Sequence, residues 1–242
     1  MKLPLVIDPC PIVEVTVEIR FETQVPEDAI FGVIYQALKK DFPKASALPM
    51  ASLPAKVRQS DPNLVQQPLH KLEGDGLIVL VGARSASVGM RGKYPGWAAL
   101  SERFRTTLAR IAGTGIIAKP VRFGLRYINF FQGDVFPKLT FSAAIGEQAV
   151  KGEGTFFKTV LSVEKCRLIL QIGKDLALVT EPGKTGSVID IDSFVEAPKV
   201  DVGLDAALSA FLENAHLAEK EIFFTLLKPD FLSTLKPTYA TD

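Results

Sequence analysis

Cysteine is nearly absent from this chain: Cys10 and Cys166 are the only two in 242 residues. So small a number excludes a disulfide framework of the kind small secreted domains need, and their wide separation excludes zinc-ribbon and Cys-x-x-Cys spacing. Histidine is as scarce, with only His70 and His216, so a three-histidine metal site is impossible within one chain. Long apolar runs are missing too. The longest, Leu77 to Val81, falls far short of the ~20 residues that span a bilayer. The opening MKLPLVIDPCP interrupts its apolar stretch with Pro4 and Asp8 and lacks the continuous apolar region of a secretory signal. The expectation is a cytoplasmic protein with no membrane partner and no cofactor. Nor is there a charge of one sign, since 28 Lys and Arg stand against 27 Asp and Glu for a net charge of +1.

What is present is material for a core. Hydrophobic residues make up 47% of the chain and charged residues 23%, the profile of a folded domain. Val13 to Phe21, VEVTVEIRF, alternates apolar and polar residues, which predicts a half-buried strand. Ile30, Phe31, Val33, Ile34 and Leu38 then recur at helical spacing, closed by Asp41, Phe42 and Pro43. Five prolines between Pro43 and Pro68 interrupt any period, so residues 43–68 are expected to form a long surface loop. Leu69 to Leu72 and Leu77 to Val88 predict two strands joined at Asp75-Gly76, a strong hairpin signal. Trp97, Leu100, Phe104, Leu108 and Ile111 mark a second helix ended by Gly113 and Gly115. Val121 to Phe131, aromatic and β-branched, predicts a strand.

The order strand, helix, strand, strand, helix, strand is that of a ferredoxin-like βαββαβ unit. Beyond it, strands are expected at Lys138 to Ala144, Thr155 to Val163, Arg167 to Ile172, Leu176 to Thr180 and Ser187 to Ile191. A long last helix with Leu204, Leu208, Phe211, Leu212, Ala215, Ile222, Phe223 and Leu226 on its apolar stripe is stopped by Pro229. The fold class is α+β: a ferredoxin-like half over 1–131 continued by an antiparallel sheet half over 132–242, closed by the C-terminal helix and packed as one compact unit.

The near-zero net charge conceals a local excess. Between Arg84 and Arg126 lie Arg84, Arg91, Lys93, Arg103, Arg105, Arg110, Lys119, Arg122 and Arg126 against Glu102 alone. Arginine predominates, and its planar fork suits phosphate and carboxylate. One reading makes Arg84, Arg91, Lys93, Arg103, Arg105, Arg110, Arg122 and Arg126 a surface for nucleic acid or a phosphorylated ligand. The other pairs these cations with the acidic remainder of the chain, within one subunit or across a dimer. Arg122 and Arg126 share one strand face, and Glu14 and Glu18 share a face of what would be the adjacent strand.

Four smaller features carry chemistry on paper. Asp190 and Asp192 share a strand face and, with a third acid, would hold a divalent metal of the kind that activates water in nucleases; strand-end aspartates that bind turn amides are the commoner case. Glu181 to Ser187, EPGKTGS, contains Gly-Lys-Thr but lacks the earlier glycine of a phosphate loop and joins two strands, so a hairpin turn is expected. His216 lies three residues from both Glu213 and Glu219, on one helix face, which would suit an acid–base dyad or an ordinary interface residue. Cys10, between two prolines, has no paired histidine to activate it.

PIVEVTVEIRF (Pro11 to Phe21), YPGWAALSERF (Tyr94 to Phe104), GLRYINFF (Gly124 to Phe131), VIDIDSF (Val188 to Phe194) and HLAEKEIFFTLLKP in the closing helix together resemble a sporadically distributed, functionally uncharacterised family of bacterial and archaeal proteins of about this size. The resemblance implies an α+β fold and a patchy genomic distribution of the sort seen for defence or mobile-element genes, and it brings no activity or catalytic residue. The leading expectation is therefore a non-enzymatic, homodimeric protein that binds an anionic partner through the 84–126 region. The alternatives are a docking accessory of a defence or toxin–antitoxin system, acting on a protein encoded nearby, and a metal-dependent hydrolase centred on Asp190 and Asp192.

Overall fold

Strand β1 (Ile12–Glu22) sets the plan of the molecule: Val15, Val17, Ile19 and Phe21 are buried, while Glu14, Thr16, Glu18 and Arg20 between them are only half-buried. That alternation places a core on one side of the sheet and leaves the other side to polar groups. The computed structural model describes residues 2–62, 64–150, 154–163, 165–177, 183 and 185–240. After β1 come α1 (Glu27–Leu38), β2 (Lys44–Ala47), α2 (Ala55–Ser60), β3 (Pro68–Gly74), β4 (Leu77–Gly82), β5 (Ser85–Arg91), α3 (Trp97–Ala112) and β6 (Lys119–Gln132). The second half contributes β7 (Ala144–Ile145), β8 (Gln148–Ala149), β9 (Phe156–Val163), β10 (Cys166–Ala177), β11 (Thr185–Glu196), α4 (Leu204–Leu226) and α5 (Pro229–Thr234).

Nine of these strands form one antiparallel sheet in the order β2-β3-β4-β5-β1-β6-β11-β10-β9, and β7 and β8 form a separate small hairpin. Helices α1, α3 and α4 lie side by side on the apolar face, α1 against α3 and α3 against α4, with α4 crossing β6, β11 and β10. The core beneath them divides in two. One cluster joins β1, β3, β4, β5, β6, α1, α3 and the first half of α4 through residues such as Ile34, Phe104, Leu125 and Leu212. The other joins β10, β11, the end of β6 and the last turns of α4 through Leu168, Ile191, Phe131 and Phe224. Among the described residues, no helix is long and apolar enough to cross a membrane.

The α+β class, the large antiparallel sheet and the C-terminal helix agree with the sequence reading; several boundaries do not. The single strand expected over Leu77 to Val88 is two, β4 and β5, which turn back through Gly82 to Ser85 so that Val81 pairs with Ala86. Both flanks are apolar and the turn has no Asn-Gly or Asp-Gly pair to mark it, unlike Asp75 and Gly76, which do adopt the left-handed backbone of a hairpin turn. The proline-rich stretch 43–68 is not a bare loop. It holds edge strand β2, a 3-10 turn over Pro49–Ser52 and α2, fastened by the buried Arg58, whose guanidinium donates to the Leu53 carbonyl and to Glu27. In place of the strand expected over Lys138 to Ala144, a 3-10 turn at Phe136–Lys138 leads to the β7–β8 hairpin, which begins only at Ala144. The two strands expected at Arg167 to Ile172 and Leu176 to Thr180 are one, β10, with an irregularity between Gly173 and Leu176; residues 178–180 lie outside those described. Pro229 also does more than stop α4, because it opens α5 at a position where its missing N–H costs nothing.

Close packing of the Pro-rich segment's entry leaves no room for a side chain at Gly74. A Cβ there would collide with the Asp41 carbonyl and come within 2.7 Å of the Phe42 Cα, both backbone atoms that cannot move aside. At the exposed Gly32 within α1, a Cβ would meet nothing within 4 Å. Gly74→Ala is expected to lower the unfolding free energy by about 1–3 kcal/mol. Gly32→Ala is expected to raise it by about 0.5–1 kcal/mol, both read by urea titration.

Candidate ligand pocket

The basic segment is the first feature to locate. Its cations divide between two sides of the molecule. On the polar face of the sheet, Arg91 pairs with Glu14 at 3.1 Å, Arg122 bridges Glu18 at 2.8 Å and Asp192 at 2.6 Å, and Arg126 donates to Asp190 through Nε at 2.8 Å and Nη2 at 2.5 Å. On the outer side of α3, Arg103 pairs with Asp75 at 2.9 Å, Arg105 with Glu213, and Arg110 with Asp41 and the Ala37 carbonyl. These last three fasten α3 to the β3–β4 turn, to α4 and to α1. Lys119 pairs with Glu22 at 3.3 Å. Arg84 and Lys93 are exposed, and their side chains meet no partner among the described residues.

The two aspartates proposed as metal ligands do share the polar face of β11, and each is engaged by an arginine. Asp190 also accepts from Gln171 Nε2 at 2.8 Å. Burial holds the Asp192 carboxyl above its ordinary range, against the opposing pull of Arg122. Among the described residues there is no group of three or more His, Cys, Asp and Glu side chains placed to hold a metal ion. Residues 181, 182 and 184 of EPGKTGS lie outside those described, but the strands it joins, β10 and β11, are antiparallel neighbours.

A different set of residues converges on a cavity of about 500 Å³ at the seam between the two core clusters. Its walls come from the N-terminal segment (Leu5, Ile7, Cys10), the loop into α3 (Tyr94, Trp97), β6 (Tyr127, Asn129) and α4 (His216, Glu219, Lys220, Phe223). The approach to α3 depends on Gly96, whose φ of 95° with ψ of 153° is a conformation that only glycine adopts readily. It sets Tyr94 and Trp97 over β6. The Tyr94 ring meets Tyr127 edge-on at 6.3 Å, and the Trp97 indole stacks on the His216 imidazole at 4.3 Å. The Tyr127 hydroxyl and His216 Nδ1 share a hydrogen bond of 3.0 Å, while Trp97 Nε1 donates to Glu213 at 3.2 Å. On α4 the positions 216, 219, 220 and 223 step by three, one and three, which keeps them on one face.

Glu219 is the anomaly in this set. It is 5% exposed, lines the cavity, and makes no hydrogen bond or ion pair with any described residue. Burial pushes its carboxyl up to about 8, opposed only in part by the Lys220 ammonium. Burial likewise holds His216 down at about 4, so the imidazole is neutral, and raises the Tyr94 and Tyr127 phenols and the Cys10 thiol. The sequence pointed to His216 with Glu213 and Glu219, and the structure separates the two acids: Glu213 serves Trp97 and Arg105 outside, and Glu219 faces the cavity. Tyr94, Trp97, Tyr127 and Asn129 were not singled out as site residues. The available signal was a lone glutamate inside the apolar stripe Ala215, Ala218, Ile222, Phe223.

A second hollow of about 640 Å³ lies beside the β7–β8 hairpin and includes Lys174 and Lys228. These lysines already bind Asp134 at 3.2 Å and the Pro137 carbonyl at 2.9 Å, so it offers no comparable uncommitted group.

The burial of Glu219 has a measurable cost. A carboxyl raised from 4.5 to about 8 on folding takes up a proton that the unfolded chain releases. Its contribution to stability is therefore complete below pH 4.5 and is lost as pH rises through about 8, by an amount on the order of 4 kcal/mol. Urea denaturation at intervals from pH 4.5 to 9 should show the wild type losing stability relative to Glu219→Gln across that window. Parallel profiles would mean that the carboxylate is ionised at no cost. As to relatives, the chain matches no family model and no curated protein.

Proposed function

We propose that this protein is a non-enzymatic binding protein for a small organic ligand, held in the cavity between α3, α4, β6 and the N-terminal segment. The observation that carries this reading is the buried Glu219, without a partner among the described residues, in a cavity walled by aromatic and aliphatic side chains. A cavity of this size, mostly apolar with a few convergent polar groups, has the general form of small-molecule sites. An unsatisfied buried carboxyl is expensive enough that a folded chain retains it only where something else compensates. A binding role is favoured over catalysis because the thiol and phenols here are raised and the one imidazole is neutral and bonded to Tyr127. None of them is an activated nucleophile.

The anionic-partner reading of the 84–126 region draws on fewer groups than its charge count suggested, since exposed Arg84 and Lys93 are the two of its cations left without a partner among the described residues. A homo-oligomer draws some support from Phe156 and Val160, exposed on edge strand β9. We read the first half as ferredoxin-like on the strength of the order β4-β5-β1-β6 with α1 and α3 on one face; β2 and β3 then extend that unit at its edge.

Trp97 is the only tryptophan in the chain and lines the cavity, so its emission reports occupancy directly. A screen of small aromatic and aliphatic compounds should yield ligands that change Trp97 emission and raise the melting temperature. A ligand at 100 times its Kd adds about 2.7 kcal/mol of stability. Ile12→Phe, which enlarges a half-buried wall residue, should weaken those ligands at least tenfold while the far-UV circular dichroism is preserved. Ligands that bind this variant undiminished would place the site elsewhere.

A further inference from the structure

Taken together, the uncommitted carboxyl and the rings beside it say what kind of ligand fits. We infer that the ligand of this pocket is an organic cation, an amine or quaternary ammonium, seated against the Glu219 carboxylate beside the rings of Trp97 and Tyr94. This rests on the small-molecule reading above and specifies its chemistry.

Three observations support it. Glu219 offers both carboxyl oxygens, and no described residue uses either. Aromatic rings present a negative face to a cation, and the half-buried Tyr94 and Trp97 both line the cavity, braced by the buried Tyr127 ring at 6.3 and 6.4 Å, centroid to centroid. The apolar remainder, Leu5, Ile7, Ile12, Phe223 and Phe224, suits the carbon substituents of such a cation, where a bare metal ion would need more oxygen ligands.

The charge field around Glu219 is consistent with this from each side. Cys10 faces it from the N-terminal segment, Tyr94 from the loop into α3, Tyr127 from β6, and His216 and Lys220 from α4. The thiol and both phenols are raised by burial and by the charge of Glu219, so they hold their protons, and His216 is neutral. The remaining positive charge is Lys220, half-buried and one residue along the helix, about 100° around its axis from Glu219. A ligand with an anionic group would therefore meet Lys220, and one with a cationic group would meet Glu219. The geometry favours the second, because Glu219 is the more deeply buried of the two and the rings flank it.

A charge series at constant shape tests the inference. The probes are choline, the neutral alcohol in which carbon replaces the choline nitrogen, and the matching tert-butyl carboxylate, each titrated by Trp97 emission and calorimetry. Choline should bind at least tenfold more tightly than the neutral alcohol, and the carboxylate most weakly. Because choline has no titratable amine, its affinity should rise with pH by up to tenfold per unit between about pH 6 and 8, then level as the empty pocket's Glu219 becomes ionised. Glu219→Gln should lose both the preference for choline and that pH dependence while keeping the neutral alcohol. Equal or tighter binding of the alcohol or the carboxylate, or unchanged choline binding by Glu219→Gln, overturns the cation inference and leaves the small-molecule reading standing. If no probe, and no compound of the wider screen, perturbs Trp97, both fall.

Discussion

Strand β6 carries the molecule. It pairs with β1 from Lys119 to Asn129 and with β11 from Arg122 to Gln132, so its central stretch from Arg122 to Asn129 is held on both edges. That double ladder makes one sheet of two halves that otherwise meet little in sequence. It also forces both halves to present their helices on the same side, because the face on which Phe123, Leu125 and Tyr127 point is common to both. With α3 contributed by one half and α4 by the other, the two helices must meet above β6. The cavity forms where α4 passes from one core cluster to the next and cannot fill both with the same run of side chains.

The sheet then poses a problem on its uncovered side, which the polar residues solve. A half-exposed face of nine strands cannot remain apolar without inviting association. Here its centre is filled by Arg91, Glu14, Glu18, Arg122, Asp192, Arg126 and Asp190, joined across β5, β1, β6 and β11. Exposed pairs of this type contribute about 0 to 1 kcal/mol each. The more buried bridge through Arg122 matters more for register, because moving β11 by one residue would turn Asp190 and Asp192 into the core. Much of the charge surplus between Arg84 and Arg126 is thus met by acids from elsewhere in the chain, the same acids that offset it in the net charge of +1.

How much of this could be read from residue order depends on whether a signal is local. The alternation in VEVTVEIRF, the Asp75-Gly76 turn and the helical spacing from Trp97 to Ile111 are local, and each element lies where its pattern put it. The turn between β4 and β5 had no such signature, and α2 and β2 depend on a buried arginine reaching Glu27 across the fold. The pairing of Arg122 with Glu18 was foreseeable once the two strands were taken as neighbours, whereas Arg126 went to Asp190 because β11 closes on the other edge of β6. The cavity was least legible of all. Its residues come from four separated segments, and only the single acid within the apolar stripe of α4 marks it.

That acid separates a packing residue from a binding residue. Among the described residues, every other deeply buried charged group is neutralised at close range: Arg58 by Glu27, Arg122 by Glu18 and Asp192, and Asp190 by Arg126. The chain therefore has the means to satisfy buried charge wherever structure alone is at stake. A glutamine at position 219 would fill nearly the same volume without the cost of ionisation, and an alanine or leucine would continue the stripe. A carboxyl with no partner among the described residues, set beside the rings of Trp97 and Tyr94, gives up stability that neighbouring positions conserve, and such a sacrifice is coherent when a charge from outside the chain completes the pair.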